Sequence, residues 1–180
     1  MRIALAGNPN SGKTTMYNAL TGRNEKVGNW AGVTVDKKQH PIKKAYAGDS
    51  GAIAVDLPGA YSMSPFTSEE SVTRDYVKKE SPDVIINIVD ATNLERNLYL
   101  TTQLMELDVP MVVALNMTDV LDKNGDRIDV KALEKRIGLP VLLIGWGVIA
   151  LSTAGMALFS WMLGAFHGEF ELAMASIGLV

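Results

Sequence analysis

Short apolar runs alternate with longer amphipathic stretches over the first 140 residues of the chain. Four of the runs are rich in aliphatic residues and bounded by turn residues, which predicts buried β-strands. They cover residues 2–6, 52–55, 84–89 and 111–115. Residues 33–39 are more polar and alternate, which predicts an edge strand, and a turn at residues 48–51 leads on from it.

Four helices are predicted between these strands. They cover residues 13–20, 69–79, 93–107 and 130–137. The third places Leu94, Leu98 and Met105 on one face, and the fourth is capped by Asp129 and stops at Gly138. Strands alternating with helices predict an α/β fold with a mainly parallel sheet and helices on both faces. Such sheets bind ligands beyond the carboxyl ends of their strands.

Residues 7–14 read GNPNSGKT and match the pattern GxxxxGK[ST] between a predicted strand and a predicted helix. In this context a chance glycine-rich turn is a poor alternative to a phosphate-binding loop. Lys13 is expected to reach the β- and γ-phosphates of a nucleotide, and Thr14 to hold Mg²⁺ through its hydroxyl. The residues expected to bind nucleotide here are Gly7, Asn8, Pro9, Asn10, Ser11, Gly12, Lys13, Thr14 and Thr15.

Two further motifs follow predicted strands. Asp56 and Gly59 form a DxxG pattern, in which the acid holds Mg²⁺ through a water and the Gly59 N–H senses the γ-phosphate. Asn116, Met117 and Asp119 belong to an NxxD pattern, whose carboxylate accepts hydrogen bonds that guanine donates and adenine does not. Taken alone, each motif is explained as well by an ordinary turn or helix cap as by nucleotide binding. In register with the phosphate loop, they predict a P-loop NTPase of the Ras-like (TRAFAC) G-domain class that binds GTP.

Thr34 lies between the phosphate loop and the DxxG motif. A threonine in this position could bind Mg²⁺ and close a mobile segment over the γ-phosphate, with Gly28 and Gly32 giving the segment freedom to move. An ordinary strand threonine is the alternative.

Composition narrows the chemistry. The chain has no cysteine, which excludes disulfides, thiolate metal sites and cysteine catalysis, and its two histidines exclude a histidine-rich metal site. A net charge of -3 argues against a nucleic-acid partner. All Lys and Arg residues lie at or before Arg136, and beyond that position only Glu169 and Glu171 are charged. We therefore expect two parts, a G domain over residues 1–140 and an apolar segment over residues 141–180.

Four stretches together resemble the N-terminal G domain of FeoB-type ferrous-iron transporters. They read NPN at residues 8–10, VGNWAGVTV at 27–35, DLPGAYS at 56–62 and NMTD at 116–119. The resemblance covers roughly residues 1–141, and GNWAGVTV is its most specific part. It implies a GTP-hydrolysing switch that uses Mg²⁺ and K⁺ and regulates ferrous-iron uptake at the cytoplasmic membrane.

The resemblance also implies residue roles. Ala60 stands where Ras-like enzymes carry a water-orienting glutamine, so hydrolysis must rely on other groups. Asn10 matches the family's K⁺-binding asparagine, with ordinary loop hydrogen bonding as the alternative. The expected catalytic residues are Lys13, Asn10, Thr34 and Gly59, and the expected metal-binding residues are Thr14, Thr34, Asp56 and Asn10. Glu69 and Glu70 are predicted to form an exposed helix start.

The apolar segment departs from the family pattern, which should continue to a base-contacting Ser-Ala loop. Residues 141–166 carry no charge, and as a helix they would span about 39 Å, more than the roughly 30 Å of a hydrocarbon core. Lys135 and Arg136 precede this stretch and no basic residue follows it, which indicates a cytoplasmic N-terminal side. The alternative is a last strand at residues 139–144, a buried terminal helix, and Ser152, Thr153 and Ala154 in place of the base-contact loop.

Three functions remain open at this point. The first is the GTPase switch on the cytoplasmic face of the cell membrane, which would need transporter segments outside this chain because a truncated or rearranged transporter of this length cannot hold an iron pathway. The second is a guanine-nucleotide-binding module without turnover, which Ala60 and the absent base-contact loop favour. The third is a ribosome-assembly or tRNA-modification GTPase, which the acidic balance disfavours. A homo-oligomer is compatible with all three.

Overall fold

The computed structural model describes residues 1–24, 38–48, 51–64 and 66–144. Within these ranges the chain forms six strands and six α-helices. In chain order they are β1 (Arg2–Gly7), α1 (Lys13–Thr21), β2 (Lys38–Pro41), α2 (Lys44–Ala47), β3 (Ile53–Asp56), α3 (Ser68–Glu80), β4 (Val84–Asp90), α4 (Leu94–Met105), β5 (Met111–Asn116), α5 (Thr118–Asn124), α6 (Val130–Ile137) and β6 (Val141–Leu143).

The strands form one sheet in the order β2-β3-β1-β4-β5-β6. Strand β2 runs antiparallel to β3 at one edge, and the other neighbouring strands pair in parallel. The predicted α/β class is therefore confirmed. The described part of the predicted edge strand is β2, whereas residues 33–37 and residues 49–50 of the predicted turn lie outside the described ranges.

Helices cover both faces of the sheet because the strand side chains alternate between them. In β1, Ile3 and Leu5 pack with Tyr17 of α1. The intervening Ala4 and Ala6 pack in a second cluster, which contains residues of α3 and α4. Every residue of β1 after Arg2 is buried, as expected for a central parallel strand.

Helix α4 buries a different face from the predicted one. Its buried residues are Asn97, Leu100, Thr101 and Leu104. Of the predicted face, Leu94 packs against a third core cluster, whereas Met105 is 38% exposed. The face was misassigned because two polar residues point inward, where residues of strand β4 hydrogen-bond to them. The Asn97 side chain accepts a hydrogen bond from the Asp90 N–H, and Thr101 accepts one from Asn87 at 2.7 Å.

The apolar stretch that begins at Val141 starts as a strand. Residues Val141–Leu143 pair in parallel with β5, and Ile144 is buried. Residues Val141–Leu143 therefore form a strand and not the first turn of a helix, and the membrane helix stays a prediction for the residues that follow. Residues 145–180 lie outside the described part of the chain. Across the described ranges, no helix is both long and apolar enough to cross a membrane.

Helices α2 and α5 were not predicted. The predicted caps of α6 are present, because the Asp129 side chain accepts a hydrogen bond from the Ala132 N–H at 3.0 Å and Gly138 is left-handed. Helix α3 begins one residue earlier than predicted, at Ser68, where the Thr67 hydroxyl accepts from the Glu70 N–H.

Candidate nucleotide-binding site

The three motifs meet at one edge of the sheet. The phosphate loop follows β1, Asp56 ends β3 and Asn116 ends β5. These parallel strands lie close together in the order β3-β1-β4-β5, so their carboxyl ends point the same way. This is the edge at which open α/β sheets bind ligands.

Lys13 and Asp56 form a buried ion pair at the centre of this edge. The Lys13 Nζ lies 2.6 Å from the Asp56 Oδ1, and the two side chains are 7% and 1% exposed. The Thr14 hydroxyl donates to the other carboxylate oxygen at 3.3 Å. The structure thus brings together three predicted site residues from two separate motifs.

The phosphate loop depends on two left-handed residues. Asn10 has φ 66° and Gly12 has φ 93°. A Cβ on Gly12 would collide with the Asn116 side-chain amide, which donates to the Ser11 carbonyl at 2.9 Å. Glycine is therefore required at position 12 both by its backbone angle and by the approach of the Asn116 side chain. The Asn10 side chain is exposed at the loop surface.

The DxxG turn lies directly against the phosphate loop. A Cβ on Gly59 would come within 3.1 Å of the Pro9 backbone, so a side chain there would push the two loops apart. The next residue, Ala60, is buried and donates its N–H to the Gly7 carbonyl at 3.2 Å. The DxxG turn is thus joined to the phosphate loop by a close backbone approach and by a backbone hydrogen bond.

The NxxD motif leaves a carboxylate oxygen without a partner. Met117 is left-handed at φ 61° and turns the chain from β5 into α5. Asp119 Oδ2 lies 3.7 Å from the Lys123 ammonium, whereas Oδ1 is buried and accepts no hydrogen bond within the described residues. Buried acceptors are rarely left unsatisfied, so this oxygen fits a ligand donor.

Further polar atoms in the phosphate loop lack partners in the described ranges. They are the Nδ2 and Oδ1 atoms of Asn8 and the Oγ of Ser11, all buried. Thr15 lies half-buried in the first turn of α1. Thr34, the remaining predicted site residue, lies outside the described residues. Groups of three or more His, Cys, Asp or Glu residues able to hold a metal are absent from the part of the chain described.

Helix α3 contributes a contact that the sequence did not predict. Glu70 is buried, and its Oε1 accepts from the Ser62 N–H at 3.1 Å and the Ser62 hydroxyl at 2.7 Å. The predicted exposed position for Glu70 is therefore wrong. Glu69 does remain near solvent, where its own backbone N–H and the Ser68 hydroxyl lower the pKa of its carboxyl group. The only sequence signal was the closeness of both acids to the DxxG motif.

A glycine-rich loop between strand and helix, an acid on the neighbouring strand and an NxxD turn after β5 define a P-loop domain of the G-protein class. The family model for ferrous iron transport protein B matches residues 1–156. The chain belongs to this FeoB family, as the four motif stretches predicted.

Curated relatives and solved structures agree with this family. The chain is 48% identical over 162 residues to the Fe(2+) transporter FeoB of Salmonella typhimurium, covering 86% of this chain and 21% of the relative. The corresponding Escherichia coli protein is 47% identical over the same shares. The chain thus spans about a fifth of the curated relatives' length.

Among solved structures, NFeoB from S. thermophilus bound to GDP.AlF4- and K⁺ is 53% identical with a TM-score of 0.72, covering 81% of this chain and 55% of that one. The mGMPPNP-bound form of that protein is 50% identical with a TM-score of 0.74, covering 88% and 58%. The FeoB G-domain from Methanococcus jannaschii is 40% identical with a TM-score of 0.74, covering 92% and 96%.

Proposed function

We propose that this chain is a switch domain that binds GTP, hydrolyses it to GDP and phosphate, and controls ferrous-iron uptake. The observation that carries the proposal is the convergence of Lys13, Thr14 and Asp56 at one sheet edge, with the free Asp119 oxygen two strands away. The solved relatives that carry GDP, mGMPPNP and GDP.AlF4- support it.

The phosphate loop would hold the nucleotide by its backbone. Its N–H groups and the N-terminus of α1 present partial positive charge to phosphate oxygens. Lys13 adds a full charge, which in this structure is balanced by Asp56 at 2.6 Å. We propose that the Lys13 ammonium turns from the carboxylate to the β- and γ-phosphates when nucleotide binds. Thr15 would support the α-phosphate from the first turn of α1.

Guanine recognition is assigned to the NxxD motif. The Asp119 Oδ1 would accept from the base, which supplies two donors that adenine lacks. Asn116 would stabilise the pocket indirectly, since its amide already donates to Ser11 in the phosphate loop at 2.9 Å. Met117 would lie beside the base. Its left-handed backbone conformation turns the chain so that the Asp119 carboxylate, two residues later, faces the base.

The residues at the edge also fit Mg²⁺. Thr14 and Asp56 offer hydroxyl and carboxylate oxygens within hydrogen-bond distance of each other, and such oxygens are the ligands Mg²⁺ prefers. Thr34 is proposed as a further ligand. Bound Mg²⁺ would neutralise charge on the β- and γ-phosphates.

Hydrolysis must proceed without a polar side chain after Gly59, because Ala60 offers only a buried methyl group. We propose that the Gly59 N–H contacts the γ-phosphate and that the exposed Asn10 side chain helps to hold K⁺ beside the phosphates. The positive charge of K⁺ would take the place of an arginine finger. The relative solved with both GDP.AlF4- and K⁺ supports this assignment.

Iron transport is proposed only for a larger assembly. The relatives are named Fe(2+) transporters, and this chain matches about a fifth of their length. We place the G domain on the cytoplasmic face of the cell membrane, acting on transporter segments outside residues 1–144. The proposal that residues 145–166 enter the membrane remains a prediction from their lack of charge.

The test is GTP turnover by the purified chain in KCl against NaCl, in detergent if required. We expect faster hydrolysis in KCl, and Asn10→Ala should remove the K⁺ effect while retaining GDP binding. The matched control is Asn124→Ala, an exposed asparagine at the end of α5. Nucleotide binding with no turnover in either salt would refute the enzyme and leave a binding module. RNA affinity would favour the ribosome-assembly or tRNA-modification alternative.

A further inference from the structure

The segment that follows Gly59 is held from two helices. On the α3 side, Glu70 accepts two hydrogen bonds from Ser62. On the α4 side, the Gln103 Oε1 accepts from the Met63 N–H at 2.6 Å. Together with the Ala60 N–H bond to Gly7, these hydrogen bonds support the backbone at residues 60, 62 and 63, on either side of Tyr61.

Tyr61 differs from these residues, because the interaction that its side chain makes within the described ranges is with a charged group. The guanidinium of Arg96 on α4 lies 4.2 Å from the centre of the Tyr61 ring, a cation–π distance. Tyr61 is 41% exposed, and Arg96 is also exposed. Within the described residues Arg96 forms no ion pair with a carboxylate, so the aromatic ring is its partner there.

We propose that Arg96 is a positioning residue for GTP hydrolysis, which clamps Tyr61 and thereby keeps Gly59 and Ala60 seated on the phosphate loop. The inference rests on the proposed GTPase function. The Ala60 side chain cannot orient water, so the proposed contact with the γ-phosphate is made by the Gly59 N–H. Whether this N–H reaches the γ-phosphate depends on the position of the backbone at Gly59. A contact that holds the neighbouring Tyr61 in place therefore affects the rate of GTP hydrolysis without touching the nucleotide.

The clamp should affect turnover more than binding. Phosphate and guanine are assigned to Lys13, the phosphate loop and Asp119, whereas the interaction given for Arg96 among the described residues is with the Tyr61 ring. An exposed cation–π pair shifts an equilibrium about two- to fivefold. We expect Arg96→Ala to lower kcat by about that factor and to leave KM and GDP affinity unchanged.

The experiment combines single-turnover hydrolysis with amide hydrogen exchange of the peptide covering residues 57–64. Four variants form a double-mutant cycle with rescue: Arg96→Ala, Tyr61→Leu, their combination, and Arg96→Lys. The double variant should be no slower than either single one, and Arg96→Lys should retain most of the wild-type rate because it keeps a cation. Tyr61→Phe should behave as wild type because it keeps the ring.

Two controls separate the clamp from a general surface effect. Arg136→Ala removes an exposed arginine from α6, and Tyr99→Leu removes an exposed ring from α4. Both should leave kcat and hydrogen exchange unchanged, whereas Arg96→Ala should raise exchange of the peptide about two- to fivefold.

Equal kcat and equal exchange in Arg96→Ala and Arg136→Ala would overturn the inference, as would a parallel loss of GDP affinity in Arg96→Ala. If the wild-type chain itself fails to hydrolyse GTP, the proposed function fails. The exchange measurement then still decides whether Arg96 holds the segment.

Discussion

Replacing Asp56 with asparagine tests the buried ion pair at the centre of the site. The substitution keeps the size of the side chain but removes the charge that lies 2.6 Å from the Lys13 ammonium. Both side chains are almost fully buried, so the lysine is left as an uncompensated charge out of reach of bulk water. Removing one partner of such a pair costs about 3–5 kcal/mol in the free energy of unfolding.

The same reasoning predicts the size of the thermal effect and its reversal. For a domain of this length the loss corresponds to a fall of about 6–20 °C in Tm. Nucleotide phosphates should supply the missing negative charge, so GDP added with EDTA should raise the Tm of Asp56→Asn more than that of the wild type. Replacing both residues with apolar ones, as in Lys13→Met with Asp56→Leu, should cost less than either single change because no charge is left buried.

The assay is thermal and urea unfolding of the wild type, Asp56→Asn and the double variant, with and without GDP. Asp122→Asn, an exposed acid on α5, is the matched control and should unfold like the wild type. A loss below about 1 kcal/mol in Asp56→Asn would show that the pair behaves like an exposed one and would refute the reasoning. A GDP effect equal to that of the wild type would refute the exchange of partners by Lys13.

Two further predictions concern the loops around this pair. Gly12→Ala should weaken binding of a fluorescent GDP analogue at least about tenfold, since the new methyl group displaces the Asn116 amide. Gly125→Ala, also at a left-handed glycine but with open space around it, should bind the analogue normally, and equal affinities would contradict the argument. Asp119→Asn should bind GDP about 100-fold or more weakly but gain affinity for xanthosine diphosphate, whose base carries a carbonyl that an amide can donate to. Competition titrations check this exchange, and unchanged guanine preference would exclude Asp119 from base recognition.

The sequence predicted the fold well where local pattern and tertiary role agree. Strand β1 is apolar because both of its faces are buried, and the loop after it carries the glycines that its backbone requires. Both facts are visible in the sequence. The pairing of Lys13 with Asp56 was not, because 43 residues separate them and only the strand order makes them neighbours.

The failures share one physical cause. Hydrophobicity predicted the wrong face for α4 because Asn97 and Thr101 are buried with partners of their own. It also placed Glu70 in solvent, although Ser62 satisfies its carboxylate. Lack of charge made Val141 resemble the start of a membrane helix, whereas a parallel edge strand needs the same apolar residues. In each case the deciding partner is distant in sequence or contributed by a backbone group.

The strand order also sets a length scale for the ligand. Two inter-strand spacings, about 10 Å, separate the end of β1 from the end of β5, with β4 between them. A nucleotide that reaches the ends of both β1 and β5 behaves as a bivalent ligand. Its phosphates and its base each bind weakly, and the ribose is the short linker between them. We therefore expect pyrophosphate and guanosine, each of which engages one end alone, to bind far more weakly than GDP. An analogue with a longer tether between base and phosphates should also bind more weakly than GDP.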